Sequence, residues 1–298
     1  MKSASRRRFT ALLFLSALCV FAADPTFMVR RVQNIQPRPD GLTLNAKAAF
    51  YKPIFGAGDK DAGQLRSIAR YGELSVNRDG ATAVVSYPDE EQVYFVLDGN
   101  GTLTYAGQKV PLKKDDVVFF PPGVKHGIAN TSEAPIRVVV MGFRIPKAWP
   151  ASPVTTLKMV NAGEVQLQEM PGHGKTSLFR MLLGPHNTPG PGKIPNQLQV
   201  AQVVEGMYVI EFAPTGTNIP HHHMMEEEIY YLIRGHGDMV AGGGFDGNEG
   251  RYPATAGDAY FFRVNTTVGF YGGNKEGEPF SAVLAVRSQY PFRFAEKR

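Results

Sequence analysis

From Tyr71 onward the chain reads as short apolar runs separated by Gly, Pro, Asn and Asp. Val93-Tyr-Phe-Val-Leu97 and Ile229-Tyr-Tyr-Leu-Ile233 are β-branched and aromatic, a composition that fits a pleated surface. No stretch holds apolar residues at a sustained helical period, so helix is a minority. Many short strands with frequent turn signals predict an all-β sandwich or barrel. Residues from Asp24 to about Ala69 are mixed, with Gln36-Pro-Arg-Pro-Asp-Gly41 among them. That segment is expected to wrap a core rather than form one.

An internal repeat sets the organisation. Glu91-Gln-Val-Tyr-Phe-Val-Leu-Asp-Gly-Asn-Gly101 aligns with Glu227-Glu-Ile-Tyr-Tyr-Leu-Ile-Arg-Gly-His-Gly237 at an offset of 136. Asp116-Val-Val-Phe-Phe120 aligns with Asp258-Ala-Tyr-Phe-Phe262 at an offset of 142. The difference fits the glycine-rich stretch 242–250, read as an extended hairpin turn; it lacks the Lys-Ser/Thr ending of a phosphate loop. The chain is therefore read as two copies of one β domain, joined near Pro146–Pro153.

The chemistry concentrates between Gly216 and Gly235. His221 and His223 are two apart, a spacing that puts both rings on one face of a strand and turns His222 away. A short turn then leads to Glu228, at the head of a second strand. Two imidazoles and a carboxylate converging from adjacent strands make a divalent-metal site of the 2-His-1-carboxylate kind. Tyr230 shares the strand parity of Glu228 and is expected in the barrel interior. Arg263 is placed near the mouth, where it could hold a substrate carboxylate.

These residues resemble the first motif of the cupin family, Gly-x5-His-x-His-x3,4-Glu-x6-Gly. The match is complete from His221 to Gly235, with one residue fewer after Gly216. The family's second motif resembles Pro121-Pro-Gly123-Val-Lys-His126-Gly-Ile-Ala-Asn130, with Asp115 in place of its leading Gly. The resemblance implies two jelly-roll β-barrels, a bicupin. Each half departs from the family in one motif. Val85, Tyr87 and Gln92 stand opposite His221, His223 and Glu228, so His126 is expected in a metal-free barrel. Arg263, Asn265 and Val268 replace the Pro, Gly and His of the second motif in the other half. That leaves three protein ligands and an open coordination face. His173, His186 and His236 fall in loops or turns and are expected to be solvated.

The first 23 residues change the balance of charge. Lys2 and Arg6-Arg7-Arg8 precede an apolar run from Phe9 to Phe21, then Ala22-Ala23, the pattern of a secretory signal. Ser5-Arg-Arg-Arg-Phe9 also resembles the twin-arginine export motif; an ordinary secretory leader is the alternative. The leader holds four basic and no acidic residues, so removing it lowers the net charge from +5 to +1. That near-neutral mature chain argues against a nucleic-acid or membrane partner. The single cysteine, Cys19, leaves with the leader, so no disulfide or thiolate ligand is expected.

The expected layout is a signal peptide over 1–23, an N-terminal cupin domain over 24–148 that has lost its metal site, and a C-terminal cupin domain over 149–298 that keeps one. A nitrogen and oxygen ligand set suits Fe, Mn, Ni or Zn. Folding around the ion before export would favour Fe or Mn. The expected partner is a small organic substrate, with a homo-oligomer open. Three classes follow: a metal-dependent oxygenase, a non-redox metal enzyme resembling ureidoglycine aminohydrolase in layout, or a metal-dependent binding protein.

Overall fold

A computed structural model describes residues 26–290 apart from 148, 187–193, 245–248 and 274. The expected signal peptide lies outside the described residues. Among those described there are twenty-one strands and three short 3-10 turns. The first ten are β1 (Phe27–Arg31), β2 (Lys47–Gly56), β3 (Ile68–Ala81), β4 (Glu90–Asp98), β5 (Asn100–Tyr105), β6 (Gln108–Lys113), β7 (Asp116–Phe120), β8 (His126–Asn130), β9 (Ile136–Arg144) and β10 (Lys158–Asn161). The rest are β11 (Gln168–Glu169), β12 (Ser177–Pro185), β13 (Leu198–Ala201), β14 (Val204–Phe212), β15 (Thr217–His222), β16 (Glu226–Arg234), β17 (His236–Gly242), β18 (Glu249–Thr255), β19 (Asp258–Phe262), β20 (Thr267–Gly272) and β21 (Ser281–Gln289).

The architecture is two jelly-roll barrels. One is a nine-stranded curled sheet in the order β10-β7-β4-β9-β3-β8-β5-β6, with β2 paired to β3. The other joins the sheet β1-β19-β16-β21-β14-β12-β11, with β13 on β12, to the four-stranded sheet β15-β20-β17-β18. Strands β17 and β18 pair on either side of the glycine-rich stretch, in register from His236↔Thr255 to Gly242↔Glu249; the expected turn at 245–248 lies outside the described residues. Gly99 and Gly235 end the equivalent strands β4 and β16 at φ +80° and +78°. A Cβ at Gly235 would lie 2.4 Å from Ser281 Oγ, which accounts for the closing Gly of the motif.

Two expectations are corrected. The segment before Tyr71 is not a mere wrapping, because it supplies β1, β2 and the start of β3. Its strands were hidden by polar residues and Pro53, which an edge strand tolerates. Nor does a single cut near 148 separate the barrels. Strand β1 pairs with β19 of the C-terminal barrel, Phe27 opposite Phe262, and β10 pairs with β7 of the N-terminal barrel, Lys158 opposite Phe119. Each barrel is thus completed by a strand from the other half.

Strand alternation sorts the side chains into three cores. Tyr94 and Phe120 fill the N-terminal barrel, and Tyr230 and Phe262 fill the C-terminal one. The intervening residues, Val93 and Phe95 on β4 and Ile229 and Tyr231 on β16, pack in a third core between the barrels. Both faces of these strands are therefore buried, which is why they read as unbroken apolar runs rather than alternating ones.

Candidate metal centre

The site is built on β15 and β16. His221 is the last inward residue of β15 and lies opposite Val268 of β20. His222 is exposed, whereas His221 and His223 are half-buried. The turn after His223 leads into β16, where Glu228 is 3% exposed. His221 Nε2 stands 3.1 Å from His223 Nε2, and His223 Nε2 stands 3.4 Å from Glu228 Oε2. These three line a cavity of about 50 Å³ together with His173, Tyr230 and Arg287. Met170, Phe179 and Ile210 complete its apolar wall.

Hydrogen-bond partners fix the ring tautomers. His221 Nδ1–H donates to the Ile219 carbonyl at 2.8 Å, which leaves the Nε2 lone pair facing the cavity. His173 Nδ1–H donates to Asn218 Oδ1, and Asn218 Nδ2 donates to the Tyr230 hydroxyl at 2.8 Å. His173 therefore also presents Nε2 as an acceptor. His223 differs. Arg287 Nη1 donates to its Nδ1 at 3.2 Å, so the single ring proton sits on Nε2 and points at His221. Glu226 Oε2 waits 3.6 Å from the same Nδ1. Arg287 Nη2 also donates to the Tyr208 hydroxyl at 2.8 Å.

Burial dominates the electrostatics. It pushes Glu228 up to about 8, with Arg287 pulling the other way. It lowers His223 to about 2, helped by the Arg287 charge, and lowers His221 as well. Both imidazoles are thus held neutral, the form that ligates metal.

Among the described residues no three His, Cys, Asp or Glu side chains already stand in a ligating arrangement. The donor set nonetheless fits a divalent cation. Glu228 Oε2 is buried with no hydrogen-bond partner, a costly state for a carboxylate unless something cationic meets it. Moving the His223 proton from Nε2 to Nδ1, and releasing the proton that burial favours on Glu228, would turn all three groups into ligands.

The other sequence candidates fall into place around this centre. Tyr230 is 2% exposed and lines the cavity. Arg263 follows β19, its backbone N–H bonded to Thr26 O, and is not among the residues that line the cavity. The cation there is Arg287, which sequence reasoning missed. Its only signal is a charge inside the apolar run of β21. His173, expected to be solvated, instead stands edge-on to His221 with ring centroids 5.2 Å apart. A Gly/Pro-rich loop gave no hint of it.

The N-terminal barrel is the complement. His126 is 1% exposed, its Nδ1–H on Val124 O at 2.9 Å and its Nε2 accepting from Tyr94 OH at 2.8 Å. It bridges to Val85. Each barrel thus pairs one His with one Val at this point, but on opposite strands: Val85 with His126, and His221 with Val268.

Residues 72–142 match the family model of the cupin domain. The match falls on the half that keeps the second motif. The uncharacterized protein MJ1618 of Methanocaldococcus jannaschii is 30% identical over 53 residues, 18% of this chain and 42% of that protein. The match therefore spans about two-fifths of that relative's length. Similar solved structures cover nearly the whole chain. Protein YlbA of E. coli superposes with TM-score 0.65 at 15% identity, over 89% of this chain and 91% of that one. A putative glyoxylate-induced protein from Pseudomonas aeruginosa gives 0.68 at 17%, over 97% and 93%. The oxalate decarboxylase of Lactobacillus farciminis, in complex with formate, gives 0.63 at 12%, over 88% and 86%. The chain thus carries a cupin-domain match over residues 72–142 and shares the two-barrel fold of these solved structures.

Proposed function

We propose that this protein is an exported, mononuclear non-heme metal enzyme acting on a small organic substrate in its C-terminal barrel. His221, His223 and Glu228 hold the ion, and Fe or Mn suits it best. The observation that supports this most is the buried, partnerless Glu228 Oε2 beside two imidazoles that burial keeps neutral. The ion supplies Lewis acidity or one-electron chemistry on a face left open to substrate. Val268 keeps the β20 side apolar, and the cavity of about 50 Å³ admits only a few heavy atoms. Oxygenase-type chemistry fits a three-ligand site with open positions. Turnover with no oxygen uptake would move the assignment to a non-redox hydrolase or isomerase, and ligand retention without turnover to a binding protein.

Elemental analysis of protein from its native compartment tests the reading. One Fe or Mn per chain is expected, falling at least about tenfold in His223→Ala and unchanged in His126→Ala. An empty wild-type protein, or metal retained in His223→Ala, contradicts it.

A further inference from the structure

The contact between the barrels follows the internal repeat, and its two ends have diverged. By the 136-residue offset, Glu73 on β3 stands at the position of Val209 on β14, and Tyr231 on β16 at that of Phe95 on β4. Arg137 on β9 stands at the position of Ala282 on β21, since Asp98 pairs with Arg137 where Arg234 pairs with Ala282. One end of the contact is therefore apolar at three positions where the other carries a carboxylate, a guanidinium and a phenol.

These three polar groups are joined across the barrels. Arg137 Nε donates to Glu73 Oε1 at 2.9 Å, and the Tyr231 hydroxyl donates to Glu73 Oε2 at 3.0 Å. Glu73 is 8% exposed, so both of its oxygens are met where burial would otherwise cost most. The three line a cleft of about 470 Å³, a size common for small-molecule sites, which favour such interfaces. Lys52 on β2, opposite Glu73 in register, lines it too. Leu97 and Ile233, equivalent residues of β4 and β16, supply apolar wall.

Donors outnumber acceptors in this cleft. Two cations face one carboxylate, whose oxygens are already engaged. Among the described residues Arg137 forms its ion pair with Glu73 through Nε, and its two Nη groups have no hydrogen-bond partner. Asp98, its register partner, is exposed and stands beyond ion-pair distance. Lys52 Nζ donates to Val32 O at 3.2 Å and keeps two protons to give. In the same inter-barrel core the buried Tyr71 hydroxyl also has no partner. The other end is closed by contrast. Arg180 is opposite Val209 as Lys52 is opposite Glu73. Its Nε donates to Glu211 at 3.0 Å and its Nη1 to Val165 O at 2.5 Å, while Arg234 shares Glu211 at 3.4 Å.

We propose that the cleft between the barrels binds a small dianion of the phosphate class from solution, held by Lys52 and Arg137. A tetrahedral dianion offers acceptors to a guanidinium edge and an ammonium at once. The Glu73 pairing survives, because Arg137 uses Nε for it and turns its Nη groups to the ligand. None of these residues lines the cavity of His221, His223 and Glu228, so the site stands apart from the metal reading. Tyr231 brings the second barrel to the ligand, so binding favours the joined pair of barrels over the unfolded chain.

Calorimetry with inorganic phosphate tests it, with sodium chloride at matched ionic strength as the control. One phosphate per chain is expected, together with a urea midpoint that rises with phosphate and not with chloride. Lys52→Met should weaken phosphate at least about tenfold while changing the phosphate-free midpoint little. Lys52→Arg should restore most of the affinity. Arg137→Met should weaken phosphate as much; it also loosens Glu73, so the two Lys52 variants decide the matter if it fails to fold. His223→Ala should bind phosphate as the wild type does, which separates the cleft from the metal centre. Heats no different from those of chloride overturn the proposal. Wild-type affinity in Lys52→Met, or loss of phosphate in His223→Ala, overturns it equally.

Discussion

At the scale of single residues, His126 and His221 show how a histidine on either strand of the equivalent pair takes a different fate. Both sit in a strand pair beside a valine, and both donate Nδ1–H to a nearby carbonyl. His126 Nε2 is satisfied by Tyr94 OH, so its ring is sealed into the barrel, and burial lowers it to about 4. A histidine that resists protonation when folded leaves the unfolded chain binding more protons between about pH 6.5 and 4. Stability is therefore lost as pH falls through that window. His126→Gln should lose less than wild type between pH 7 and 4, by a margin on the order of 2 kcal/mol, read from urea midpoints. Equal losses would show that the ring is not held neutral. His221, His223 and Glu228 were legible in the sequence because short-range strand periodicity and one turn bring them together. Arg287 and His173 were not. Arg287 meets His223 from 64 residues away through β21–β16 pairing, and His173 meets Asn218 from 45 away through a loop. No local pattern encodes those meetings.

At the scale of elements, strands β4 and β16 do two jobs. Their even residues fill the barrels, and their odd residues meet the partner barrel. Glu91 and Glu227, the first odd acidic residue on each, form a reciprocal lock. Glu91 is buried and accepts backbone N–H bonds from Gln202, Val203 and Val204 at 2.7–2.9 Å. Glu227 accepts from Arg66 N at 2.9 Å and Ser67 N at 2.7 Å, and from the Ser67 hydroxyl. The receiving segments are themselves related by the 136-residue offset. Each carboxylate satisfies donors that would otherwise be orphaned between the barrels, and bonds to a charged acceptor contribute about 1.5–3 kcal/mol each. Glu91→Ala and Glu227→Ala should each destabilise the protein by roughly 3 kcal/mol or more, measured by denaturant unfolding. A loss below about 0.5 kcal/mol would show that water replaces the lock. The repeat itself was legible, including the pair of glutamates. The exchange of β1 and β10 between barrels was not, because pairing across half the chain leaves no trace in the pattern of either strand.

At the scale of the whole molecule, the barrels share a core. Phe55, Tyr71 and Phe143 from one side meet Ile229, Phe261 and Leu284 from the other. Tyr231 OH reaches across to donate to Glu73 Oε2 at 3.0 Å. A half chain cut after residue 148 would lack β10 and expose this surface, so 24–148 expressed alone should aggregate or bind a hydrophobic dye. A soluble, cooperatively folded half would contradict the exchange. The division of labour follows from the same architecture. The N-terminal barrel saturates its arginine and histidine and lends rigidity, while the C-terminal barrel leaves Glu228 and Arg287 partly unpaired around one cavity. The most direct test of the account is a crystal structure with anomalous diffraction at the Mn or Fe edge. One peak is expected, bonded to His221 Nε2, His223 Nε2 and Glu228 Oε2. A peak at His126, or none in metal-replete protein, would contradict it.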